Sequence, residues 1–205
     1  MADLFDYLKW RGDLSFIQVP PGPVDALIFS ALAYIRHSGA VATHPDKPMR
    51  LSEASDRFFF LQDQEDRIRV KEDLSLLMAA ANTYRFGNTM LCHYRDILLP
   101  EEETQFSAVT FLLDDGSAFL AFRGTDYSLV GWKEDFNMTF RETIPAQLLA
   151  LEYTQEIGSK YIMPLRICGH SKGGNLAVFS AVKNSKWRVS NVQKTTNHGY
   201  VPLRR

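Results

Sequence analysis

The stretch Gly169-His170-Ser171-Lys172-Gly173-Gly174 constrains this chain more than any other. An apolar run, Leu165 to Cys168, leads into it, and the small-residue segment Asn175-Leu176-Ala177 follows. A Gly-x-Ser-x-Gly turn in that setting predicts a strand that bends sharply into a helix with a serine at the bend. The serine backbone is strained there, and a side chain at Gly169 or Gly173 would collide across the crossing. Ser171 is then held proud of the sheet with its hydroxyl exposed. The backbone N–H of Lys172, in the first turn of the new helix, points where an oxyanion would form, with the helix dipole behind it. By composition alone the bare pattern would arise in roughly 0.07 of chains this long, so the flanking strand and helix carry the weight.

The rest of the chain supplies elements around that bend. Residues 1–18 read as a short helix and turn carrying Phe5, Tyr7, Leu8, Trp10, Leu14 and Phe16. Trp10-Arg11-Gly12-Asp13 is taken as packing and a turn. Pro20-Pro21-Gly22-Pro23 starts a largely buried helix over 24–35. Helices are predicted over 51–62, with Ser52 as N-cap, and over 71–84, with Gly87 as a C-terminal cap. Phe58-Phe59-Phe60 is assigned to the core. Strands are predicted over 90–98, 106–113 and 118–122, the last two flanking the turn Asp114-Asp115-Gly116-Ser117. Helices from 131 through 135 and over 145–160 precede the strand at 165–168. That alternation predicts an α/β class with a mostly parallel sheet flanked by helices. Residues 1–190 are expected to form a single partial domain, helical over 1–88 and sheet-bearing over 89–190, with 191–205 an irregular tail.

Charge and cysteine content narrow the possible functions. No apolar run approaches the ~20 residues of a membrane span, and Met1-Ala2-Asp3-Leu4-Phe5-Asp6 lacks a basic start to an apolar leader. A soluble, cytoplasmic protein without stable membrane insertion is expected. Cys92 and Cys168 make no disulfide framework, and no Cys/His cluster has metal-ligand spacing, so neither metal nor cofactor is expected. Net charge is −1, yet seven basic and no acidic residues follow Ser171, leaving −8 on the preceding part. That basic end has no aromatic interleaving beyond Trp187 and Tyr200, which argues against nucleic acid as a partner. A phosphate loop is set aside because the Gly-Lys-Ser/Thr order is absent.

A serine esterase needs an activated hydroxyl, a base with its orienting acid, and two donors aimed at the oxyanion. Phe122-Arg123-Gly124-Thr125 ends a strand upstream of the bend, where the second oxyanion donor belongs. Thr125 offers a backbone N–H and a hydroxyl, Asp135 is placed to hold that hydroxyl, and Arg123 is expected to brace the loop. Phe122-Arg123-Gly124-Thr125-Asp126, Gly131-Trp132-Lys133-Glu134-Asp135-Phe136 and the Gly169–Ala177 stretch resemble the Mbeg-like family of bacterial proteins. Asp6-Tyr7-Leu8, Trp10–Phe16 and Val24-Asp25-Ala26-Leu27 match it too, so the likeness runs from residue 6 to about 180. More distantly the two site motifs are similar to fungal-type (class 3) lipases. The resemblance implies an α/β-hydrolase-like fold, an oxyanion donor at Thr125 supported by Asp135, and a nucleophile at Ser171. It implies a serine hydrolase site acting on a small acyl ester or lipid-like substrate without naming one.

The departure from that pattern is equally specific. In this fold the acid and then the histidine follow the serine along the chain. Here nothing acidic follows Ser171, and the one later histidine is His198. The family's further strand and Asp-Gly-Pro segment are absent, so the sequence reads as truncated after the helix that follows Ser171. A sheet ending there would leave an open edge. His198 is the candidate base, His170 is assigned to packing or pocket lining, and the Lys172 side chain leaves along the helix. His37, His44 and His93 have no placement at the site. Two functions stay open: a serine hydrolase weakened by an incomplete triad, and a non-catalytic ligand- or protein-binding module of the same fold.

Overall fold

In a computed structural model, the chain is described over residues 2–184, with the backbone of 188–189, 193–195 and 198–204. Helices α1 (Leu4–Arg11) and α2 (Pro23–Leu32) come first, then a short strand β1 (Met49–Arg50) and helices α3 (Leu51–Phe59), α4 (Lys71–Ala81) and α5 (Tyr84–Gly87). Strands β2 (Met90–Leu99), β3 (Thr104–Leu112) and β4 (Ala118–Phe122) follow. Helices α6 (Leu129–Asn137) and α7 (Pro145–Lys160), strand β5 (Leu165–His170) and helix α8 (Lys172–Lys183) lead to the short C-terminal strands β6 (Arg188–Val189), β7 (Gln193–Thr195) and β8 (His198–Arg204).

The local signals act where their chemistry demands. Asp115 Oδ1 accepts from the N–H of Ser117 at 2.9 Å, and Gly116 takes φ 77°, closing the hairpin between β3 and β4. Helix α3 is capped two residues earlier than expected: Arg50 is its N-cap and Ser52 lies inside it. The 71–84 pattern divides, because Asn82 caps α4 and the Thr83 hydroxyl accepts from Phe86 N–H to start α5, so Gly87 ends that shorter helix. Of the aromatic triplet only Phe58 is fully buried, and Phe60 is exposed, as is Trp10.

The sheet is mixed and mostly antiparallel, which corrects the expectation of a mostly parallel one. Its order is β1-β2-β3-β4-β5-β8-β6, with β7 on β8. β1 through β4 are neighbours in antiparallel pairs, and among the described residues only β4 and β5 run parallel, with Phe122 opposite Gly169. Connection length accounts for the central pairs: short loops over 100–103 and 113–117 return the chain antiparallel between β2, β3 and β4, whereas a long crossover through α6 and α7 joins β4 to β5. β8 runs antiparallel along β5, so the edge expected to be open is paired, and the expected irregular tail carries strand backbone over 193–195 and 198–204. Among the described residues no helix is long and apolar enough to cross a membrane.

Alternation along β4 splits the core in two. Phe119 and Ala121 face a layer with Phe16, Phe29, Phe58 and Phe86 from the N-terminal half, while Ala118, Leu120 and Phe122 face α7 and α8 through Tyr153, Ile157, Leu176 and Ala177. Both cysteines are buried and free, and burial pushes the Cys168 thiol up to about 12, consistent with a small core residue. In the first layer Arg85 is an internal staple. Its Nε and Nη2 donate to the two Asp25 oxygens at 2.8 and 2.9 Å, and Nη1 donates to the carbonyls of Leu14, Ser15 and Val19. The guanidinium lies over the Phe16 ring at 3.9 Å. Arg85→Ala would leave the buried Asp25 carboxylate unpaired and should cost about 3–5 kcal/mol, seen as a lower urea midpoint; the double replacement Asp25→Leu with Arg85→Met should cost less than the single one, and equal losses would contradict this account.

Candidate active site

Ser171 is the N-cap of α8 and adopts φ 56°, ψ −124°, a conformation that side-chain-bearing residues avoid. The strain persists because the chain on either side is wedged. A Cβ on Gly169 would sit 2.3 Å from the Gly173 carbonyl group, and a Cβ on Gly173 would sit 2.2 Å from the Phe122 oxygen. Only glycine lets β5, the start of α8 and the end of β4 close on one another. Ser171 is exposed at this turn. The N–H of Lys172, first residue of the helix, belongs to the groups that no helical carbonyl can reach.

The end of β4 abuts the same turn. Gly124 lies against the His170 carbonyl, and a Cβ there would be 2.6 Å from that oxygen and 2.1 Å from the Tyr34 hydroxyl. Thr125 follows, and its hydroxyl donates to Asp135 Oδ2 at 2.5 Å from α6. With its proton committed to that carboxylate, the threonine has its backbone N–H left to offer an oxyanion. Arg123 is 2% exposed and donates from Nη2 to Asp96 Oδ1 at 2.8 Å, with Asp126 Oδ2 at 3.6 Å. It braces the loop from behind.

Lys172 contributes in a way the sequence spacing did not disclose. Its side chain is buried, and Nζ donates to the Gln105 carbonyl, Gln105 Oε1 and Glu134 Oε2 at 2.7, 2.8 and 2.8 Å. All three ammonium protons are engaged, so it is no base. Burial lowers its pKa, and the facing Glu134 carboxylate opposes that shift. Glu134 also accepts from the N–H groups of Gln105 and Ala146, both at 3.1 Å. One buried carboxylate thereby ties β3, α6, α7 and the first residue of α8 together. Glu134 lies within the motif at 131–136, yet its partner is 38 residues away, beyond any local pattern.

The histidines divide. Half-buried His170 has Nδ1 2.9 Å from the Tyr34 hydroxyl, which fixes its ring beside the turn. His198 stands opposite His170 in the β5/β8 register, one position from Ser171 along the strand; its side chain is outside the described residues. His93 and His44 line a separate cavity of about 420 Å³ with Glu156. His37 is buried with Nε2 3.0 Å from the Leu32 carbonyl.

These contacts define a mixed α/β domain, layered with helices on both sheet faces, whose strained serine joins a strand to a helix beside a threonine–aspartate pair. A profile of the Mbeg1-like family matches residues 80–201, more than half of the chain, and the protein belongs to that family. No curated protein and no solved structure matches the chain.

Burial holds the His37 imidazole down at about 4 from its ordinary 6.5, with Arg123 acting in the same direction and the Leu32 carbonyl against it. The unfolded chain therefore takes up this proton at a higher pH than the folded one. Its stabilising contribution is complete above pH 6.5 and declines as pH falls toward 4, by about 3 kcal/mol in all. His37→Gln should lose less stability than wild type between those values in denaturant titrations, and parallel losses would refute the assignment.

Proposed function

We propose that this protein is a serine hydrolase of acyl esters, with Ser171 as nucleophile and the N–H groups of Lys172 and Thr125 as the oxyanion hole. The observation that carries the proposal is the exposed Ser171 at φ 56°, ψ −124° on the strand-to-helix turn, with the Thr125–Asp135 pair on the adjoining strand end. Parallel pairing of β4 and β5 brings the C-terminal ends of both strands to the same end of the sheet.

In the reaction the Ser171 oxygen bonds to the ester carbonyl carbon, and the electron pair of the C=O bond moves to oxygen. Amide donors on fixed backbone stabilise that charge without reorganising. Collapse expels the alcohol and leaves an acyl-serine, which water cleaves to the acid. His198 is the proposed base, taking the serine proton and returning it to the leaving alcohol. Asp135 acts through Thr125, holding the loop so that the amide keeps its aim. Residues 172–205 hold no acidic residue, so they offer the His198 imidazole no orienting carboxylate. The same feature favours the second reading, a binding module that keeps the pocket without the chemistry.

The exposed face of α6 supports an acyl or lipid-like substrate. Leu129, Trp132 and Phe136 recur at helical spacing on the helix that carries Asp135, and Phe140 continues the row just beyond it. An apolar chain leaving Thr125 would meet that surface.

A fluorophosphonate probe should label wild type, and Ser171→Ala should abolish the labelling. Thr125→Val removes the tether and keeps the amide, so labelling should slow roughly tenfold, less than the ~10²–10³ of a lost oxyanion donor. Folded wild type that takes no label would favour the binding module, and label retained in Ser171→Ala would dismiss Ser171 as nucleophile.

A further inference from the structure

A second cavity lies against the other flank of the 123–126 loop. It has a volume of about 160 Å³, and Arg36, Arg67, Arg69 and Arg123 line it together with the Tyr34 ring and the carboxylates of Asp66 and Asp126. Four guanidinium groups around so small a space are costly unless their donors are satisfied. Arg67 and Arg123 are largely spoken for, and Arg36 commits one nitrogen. Arg36 Nη2 donates to Asp126 at 3.1 Å, Arg123 Nη2 to Asp96, and Arg67 to Asp63, the Ser38 hydroxyl and two backbone carbonyls.

Arg69 is different. Its guanidinium is stacked on the Tyr34 ring at 4.1 Å, and the nearest carboxylate oxygen, Asp73 Oδ1, is 3.9 Å from Nη2. The other Asp73 oxygen is taken by the N–H groups of Arg69 and Val70. Nε of Arg69 is buried without a partner, and so is Nε of Arg123, whose side chain is 2% exposed. Two guanidinium groups that line the cavity therefore each keep a nitrogen that no protein atom accepts from. Stacking on Tyr34 fixes the Arg69 plane, as bidentate recognition of an oxyanion requires. The cavity adjoins the serine through a short relay: Tyr34 reaches Nδ1 of His170, the residue before Ser171, and Arg123 and Asp126 bracket Gly124-Thr125.

We propose that this cavity is an oxyanion-binding subsite, seating a carboxylate or phosphate group carried by the ester at a distance from the reacting carbonyl. The proposal rests on the hydrolase function above for its link to substrate, whereas the binding of the anion itself does not. Arg69 and Arg36 hold the charged end, and the α6 face takes the apolar one. The cavity has room for a headgroup, and its four guanidinium groups favour a charged end over an apolar chain.

The test separates the two claims. Inorganic phosphate titrated calorimetrically into Ser171→Ala should bind, and adding Arg69→Gln should weaken it about tenfold, with Arg69→Lys recovering part of the loss. Arg36→Gln is the second variant, for the case in which Arg69→Gln fails to fold. In hydrolysis, wild type should prefer p-nitrophenyl hydrogen glutarate over p-nitrophenyl butyrate, phosphate should raise KM for the glutarate, and the preference should fall in Arg69→Gln. Preference for dihexanoyl phosphatidate over the glutarate assigns the anion to a lipid headgroup, and the reverse to a soluble carboxylate. No cleavage of any ester counts against the hydrolase function and leaves the phosphate titration to decide the subsite. Absent phosphate binding, or equal affinity with and without the Arg69 and Arg36 side chains, overturns the subsite.

Discussion

The near-contact of Gly173 with the carbonyl of Phe122 is the constraint on which the rest depends. The first turn of α8 can rest on the end of β4 only because no Cβ intervenes, and that seat forces Ser171 into its strained backbone. Strain of this kind survives only where the surroundings over-determine it. Here Lys172 supplies the second fastening: its ammonium is anchored in Glu134 and Gln105 one residue beyond the serine. A buried ion pair is weak evidence for stability in general, because desolvation opposes it. Its value here is positional, since the same carboxylate also accepts from the backbone of β3 and of α7.

The parts of this arrangement that were legible in the sequence are those written in short spacings. The turn at 169–173 declares itself because sterics permit only glycine at two of its positions, and the Thr125–Asp135 pair follows from a strand end and a helix ten residues on. The Asp114–Ser117 turn was equally clear. It speaks against a mostly parallel sheet, since a tight turn obliges its two strands to run antiparallel. Alternation of strands and helices overstates parallel pairing here because the helices before β2 are not crossovers; they form the layer beneath the sheet. The Lys172–Glu134 pair, the Tyr34–His170 contact and the Arg85–Asp25 staple were invisible for one reason. Each joins residues 38 to 136 positions apart, and no periodicity encodes such a meeting.

The site is uneven in its chemistry. In the proposed hydrolase the oxyanion donors are backbone amides, held by the sheet, by the Thr125–Asp135 bond and by the brace of Arg123 on Asp96. For proton transfer the proposed base, His198, is placed by its register opposite His170. Oxyanion stabilisation and nucleophile activation are separable contributions, and a site can keep the first while weak in the second. A hydrolase with well-aimed amides and a poorly oriented base would acylate slowly and hold substrates well, so hydrolysis and simple ligand binding on this scaffold differ in degree.

Charge and apolar surface are distributed around the serine with a direction. Arg36, Arg67, Arg69 and Arg123 converge on a small polar cavity beside the 123–126 loop, whereas Leu129, Trp132 and Phe136 leave the same loop along α6. The loop between them therefore divides a polar territory from an apolar one. A substrate lying across Thr125 would have to be amphipathic to satisfy both sides, since an apolar tail against guanidinium groups forfeits their solvation and an anion against α6 finds no donor. A neutral short ester meets neither requirement and would be held by the oxyanion donors alone. Selectivity in such a site resides in what flanks the reacting bond, because the amides recognise any ester carbonyl alike.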